Sequence, residues 1–82
     1  MYRILTEDKN REMIHEILKT RVKGYTITEG TGSWQGVEEK CLAIDLVDVR
    51  LHTAKSIATE IKIWNKQESV LVLEIPITEY WI

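Results

Sequence analysis

Devices that break or brace a backbone are scarce in this chain. Of its 82 residues only four are glycine, one is proline and one is cysteine. The single cysteine, Cys41, excludes an intrachain disulfide. With no CxxC partner it reads as a packed thiol rather than a nucleophile. Basic residues are not in excess. Eleven Lys and Arg against 13 Asp and Glu give a net charge of −2, which argues against a nucleic-acid binder with its usual basic stripe. No apolar run approaches the roughly 20 residues needed to cross a membrane. Met1 to Asn10 has no apolar core of a signal peptide, so a cytoplasmic protein is expected.

A chain of this length makes one domain, residues 1–82. It buries only about 60–65% of its unfolded surface, and small domains often recover stability by assembling. Tyr2 to Leu5 is a short strand candidate, stopped by Thr6-Glu7-Asp8. Asp8 is placed to accept the free amides of a first helical turn. Met13, Ile14, Ile17 and Leu18 recur at helical spacing, and Gly24 stands where a helix end favours a left-handed residue, so a helix is predicted from about Lys9 to Arg21. Gly24 to Glu29 is rich in β-formers. Lys40 to Val47 predicts another strand, with Leu42, Ile44 and Leu46 on one face and Cys41, Ala43, Asp45 and Val47 on the other. Asp45 is expected to pair with Arg3 across strands.

Asp48 is a candidate cap for a second helix, whose stripe is Leu51, Ala54, Ile57, Ala58, Ile61 and Trp64. That helix should end near Asn65-Lys66-Gln67. Ser69 to Ile77 predicts the last strand, which Pro76 restricts to an edge or a bend. Tyr80 and Trp81 are too apolar to leave in water and are expected to pack on the body or on a neighbouring subunit.

The order β-α-β-β-α-β in about 80 residues predicts an α+β, ferredoxin-like sandwich: a four-stranded antiparallel sheet with both helices on one face. The helices can cover only that face. Yet the last strand alternates Val70 and Val72 against Leu71, Leu73 and Ile75, so it is apolar on both sides. An uncovered apolar sheet face is usually an interface. A homo-oligomer that buries its sheet backs is therefore expected.

All four glycines fall between Gly24 and Gly36, three of them in the stretch GTGSWQG. A phosphate-binding glycine loop would run from a strand into a helix, whose N-terminal amides hold the anion. This stretch runs from strand to strand, so the first alternative is a hairpin connection with glycines supplying positive φ.

GYTITEGTGSWQG resembles the end of the second strand of the PII signalling proteins, where a T-x-T-E segment leads into a G-x-G loop. Thr26, Thr28, Glu29, Gly32 and Gly36 match that pattern, and Gln35 takes a polar loop position. The resemblance implies a trimer with ligand sites in clefts between subunits, suited to nucleotides and small anions. Two parts differ. The long target-contacting loop is reduced to about Gly36 to Glu39, and the segment after the second helix reads NKQES, without the glycine-rich triphosphate loop. The ending EIPI…YWI is similar to CutA-like proteins, which share the trimeric plan.

The resemblance implies a non-enzymatic small-molecule binder, acting as sensor or sequestering module, with a nucleotide or small anionic metabolite as partner. Its candidate ligand-binding residues are Thr28, Gly30, Gly32, Ser33, Trp34, Gln35, Gly36 and Lys40. Glycines let a ligand approach the backbone closely. Trp34 could stack on a base or cap a neighbouring subunit. Gln35 and Lys40 could reach a carboxylate or phosphate, or lie solvated on a hairpin. No catalytic residue, metal site or cofactor is assigned, and His15 and His52 read as solvated helix-surface residues. The alternative is a CutA-like metal-associated or structural trimer without nucleotide binding. An acylphosphatase-like enzyme would need an arginine loop where Thr6-Glu7-Asp8 stands.

Overall fold

Period-two alternation builds the strands and apolar residues at spacings of three and four build the helices. The structure, a computed structural model, describes residues 1–82. In chain order the elements are β1 (Tyr2–Glu7), α1 (Arg11–Arg21), β2 (Tyr25–Trp34), β3 (Val37–Leu46), α2 (Leu51–Asn65) and β4 (Leu71–Glu74). The sheet order is β2-β3-β1-β4, with every neighbouring pair antiparallel. This is the α+β ferredoxin-like βαββαβ sandwich.

Register fixes what each face carries. Ile4 stands opposite Ile44 and Val72, and Ile27 also stands opposite Ile44, so these side chains share a face. With Leu42 and Leu46 they meet Ile14, Ile17 and Leu18 of α1 and Ala54, Ile57, Ala58 and Ile61 of α2 in one core. Arg21 ties the two helices by donating to Glu60 and to the Ser56 hydroxyl. The opposite face is uncovered. It presents Leu5, Cys41, Ala43, Leu71 and Leu73, around a bidentate pair in which Arg3 Nε and Nη2 donate to the Asp45 carboxylate at 2.6 and 3.1 Å. The Arg3–Asp45 pairing read from the sequence is present. The hydrogen bond and charge of Asp45 hold the Arg3 guanidinium above its ordinary range.

Several local expectations are corrected. Asp8 does not cap α1. The helix begins at Arg11 after Asn10, which is left-handed (φ 53) and makes no side-chain cap bond. Asp8 accepts two hydrogen bonds of 2.6 Å from Arg11, a stronger charge-assisted pairing than backbone amides offer. Asp48 does not cap α2 either. It is itself left-handed (φ 57), and Arg50 holds the N-cap position. At the other end of α2 the buried residue is Asn65, while Trp64 is exposed. β4 is four residues, shorter than Ser69 to Ile77. Tyr80 and Trp81 do not pack on the body. Both are exposed, and the Trp81 indole N–H donates only to Glu79, two residues away. No helix is long and apolar enough to cross a membrane.

Candidate functional site: the hairpin arm and the cavity beneath it

The largest departure from the sequence reading lies in GTGSWQG. Gly30 to Trp34 is not a loop but the second half of β2. β1 pairs with β3 only as far as Glu7 opposite Cys41, whereas β2 and β3 stay paired out to Trp34 opposite Val37. The hairpin therefore continues as a two-stranded arm past the end of β1. Its turn is two residues long, Gln35 (φ 50) and Gly36 (φ 80). Positive φ at both is the requirement of the hairpin turn whose twist matches its strands. Gly36 meets it at no steric cost, and Gln35 meets it as a non-glycine residue.

A cavity of about 510 Å³ lies beneath the arm. The arm supplies Gly32, Ser33, Trp34 and Glu39. The sheet supplies Leu5, Glu7, Cys41 and Leu71, which share the uncovered face by register. The third side is the connection from α2 to β4, Lys66 to Val70.

That connection is held by a partly buried polar network. Asn65 Nδ2 donates to Gln67 Oε1 at 2.7 Å and lies 3.3 Å from the Thr6 hydroxyl, which itself donates to Gln67 Oε1. Asn10 Nδ2 donates to Asn65 Oδ1 at 3.0 Å and to the Trp64 carbonyl at 3.2 Å. Thr6 and Asn65 are buried, so each polar atom needs such a partner. α2 ends with Lys66 N–H donating to Ile63 O and Gln67 N–H to Lys62 O. This is the Schellman pattern, with Lys66 (φ 54) where glycine is usual.

The base of the arm is clamped on its helix side. Arg11 bridges Asp8 and Glu29, with Nη1 2.6 Å from Glu29 Oε1, and Asp8 N–H donates to Lys40 O at 3.2 Å. The hydrogen bond from Arg11 holds the Asp8 carboxyl below its ordinary range, helped by the charges of Arg11 and Lys40 and opposed by burial. Hydrogen bonds to Asp8 and then Glu29 hold Arg11 well above the usual guanidinium range.

The structure brings only part of the predicted set together. Gly32, Ser33 and Trp34 line the cavity; Thr28, Gly30, Gln35, Gly36 and Lys40 do not. Thr28 and Gly30 lie on the uncovered face nearer the sheet, opposite Ala43 and Cys41. Gln35 and Gly36 form the exposed tip. Lys40 stands opposite Thr31, on the helix side by alternation, where its charge acts on Asp8. The other lining residues, Leu5, Thr6, Cys41, Val70 and Leu71 with the polar Glu7, Glu39, Lys66, Gln67, Glu68 and Ser69, are not among the binding residues predicted from sequence. The one local signal for the last four is a polar segment, NKQES, lying between an apolar helix and an apolar strand.

The histidines lie elsewhere. His15 Nδ1 is 2.9 Å from the Tyr25 hydroxyl, with the two rings tilted at 53°. No group of three or more His, Cys, Asp or Glu side chains converges as a metal-binding cluster. No protein-family model matches the chain, and no curated protein matches it.

Proposed function

We propose that this is a non-enzymatic, cytoplasmic small-molecule-binding protein of PII-like plan, a sensor or sequestering module that works as a homo-oligomer, a trimer by the resemblance. One observation carries the reading: the cavity beneath the arm joins an exposed indole, an apolar floor and the polar side chains of Ser33, Glu39, Glu68 and Ser69, none of which is buried in the core. Ligand sites commonly combine apolar walls with a few polar groups in this way. The cavity opens beside Leu5 and Leu71, on the face proposed for assembly, which favours a site at or near a subunit boundary. The nucleotide part of the sequence expectation draws no support from Gln35 or Lys40, since neither lines the cavity.

The test is a thermal-shift titration of the full chain against metabolites and nucleotides, repeated with Trp34→Ala. A ligand that binds only the native state raises Tm, by an amount set by its concentration over Kd. The expected result is a rise for at least one compound that Trp34→Ala abolishes, with assembly intact. No rise for any compound would sink the binding reading and leave the CutA-like alternative, a structural trimer, which the uncovered apolar face also favours.

A further inference from the structure

We infer that the cavity beneath the arm selects an organic cation, an amine carrying an apolar chain or ring, over an anion; this rests on the small-molecule reading above. Charge is the first reason. Glu7, Glu39 and Glu68 line the cavity against one cation, Lys66. Glu39 and Glu68 have no ion-pair partner in the chain, and Glu7 pairs only with Lys9. Glu7 Oε2 is shielded from solvent and lies 2.7 Å from Lys9 Nζ, so the carboxylates left free for a ligand are Glu39 and Glu68.

The aromatic wall points the same way. Trp34 is 71% exposed and shares a strand face with Gly32 and, across the hairpin, Glu39. The face of an indole is negative and attracts cations. The helix that feeds the cavity also agrees. Lys66 to Val70 follows the C-terminus of α2, the end whose carbonyl dipoles favour positive charge. Leu5, Cys41 and Leu71 supply an apolar floor for the ligand's carbon chain.

Three probes of one carbon-chain length separate the possibilities: putrescine, butanediol and succinate, with ATP as a fourth. Each is titrated into the full chain while the Trp34 indole resonance, assigned through Trp34→Phe, is followed by NMR. Putrescine is expected to shift that resonance and raise Tm, while succinate and ATP do neither. The double variant Glu39→Gln with Glu68→Gln should weaken putrescine by about tenfold, since two charge-assisted contacts are lost. Lys66→Ala should tighten it, and raising salt from about 50 to about 200 mM should weaken it. Circular dichroism confirms that each variant is folded.

Succinate or ATP binding at Trp34 more tightly than putrescine would overturn the cation inference and leave the small-molecule reading standing. Unchanged putrescine affinity in the double variant would overturn it equally, by showing that these carboxylates do not select the ligand. If none of the four compounds moves Trp34 but a neutral metabolite from the wider panel does, the charge inference fails alone. If nothing binds, both readings fail together.

Discussion

Cys41 and Gly30 stand directly opposite each other in the β2–β3 hairpin, and a β-carbon built on Gly30 would lie 3.5 Å from the Cys41 Sγ. That is ordinary van der Waals contact. Gly30 also lacks positive φ, unlike Gly36 (φ 80). Of these two glycines in one short stretch, only Gly36 has a backbone conformation that calls for glycine.

Alanine should separate them. Gly30→Ala is expected to raise stability by about 0.4–1 kcal/mol, by reducing the freedom of the unfolded chain at a position whose native φ alanine accepts. Gly36→Ala should lower it by about 1–2 kcal/mol, the cost of a left-handed residue with a β-carbon. Urea unfolding of both variants reads the two signs directly. Destabilisation by Gly30→Ala would mean that close approach, rather than turn geometry, governs the arm.

Asn65→Leu removes the hub of the polar network at the end of α2. Thr6, Gln67 and Asn10 would each lose a partner in or beside the core. An expected loss of about 2–3 kcal/mol follows from the cost of buried polar groups left unpaired. A loss below about 0.5 kcal/mol in denaturant midpoint would show that solvent reaches these groups.

Acid should loosen the arm's clamp. The Asp8 carboxyl is held below its ordinary value of 3.8 chiefly by its hydrogen bond to Arg11. A carboxyl depressed in the folded state binds fewer protons there than in the unfolded state, so stability rises with pH. Its contribution is fully present above the unfolded value and drains away as pH falls through the folded one. Wild type should therefore lose more stability between about pH 5 and about pH 3 than Asp8→Asn, compared by urea midpoints at each pH. Equal losses would assign the acid sensitivity to other carboxylates.

Assembly is tested on the uncovered face. Leu71 is 53% exposed and stands opposite Leu5 in register. Leu71→Lys places a charge where the proposed interface needs apolar contact, at a cost of about 2 kcal/mol or more per copy. Sedimentation should then show the monomer mass, with circular dichroism unchanged because the side chain is outside the core. An oligomer unaffected by this change would place the interface elsewhere.

Local pattern was enough to reveal the framework. The alternation Leu42, Ile44, Leu46 and the stripe Ala54, Ile57, Ala58, Ile61 each place a buried face without reference to the rest of the chain, because backbone geometry sets their periods. The opposite charges of Arg3 and Asp45 likewise pointed to a cross-strand pair. The arm and the cavity depended on the packed chain. Gly30 and Gly32 read as loop residues, yet β3 offers them a ladder of backbone partners that outweighs weak strand propensity. Asp8 and Asp48 read as caps, but Arg11 takes Asp8 and the backbone turns at Asp48 before α2 begins. Asn65 and Gln67 looked like the polar end of a helix. Asn65 is buried and Gln67 half-buried, and both bond to Thr6, which lies 59 and 61 positions away in the chain. Contacts at that separation leave no local period, so the cavity wall they hold is legible only where the folded sheet and helix meet.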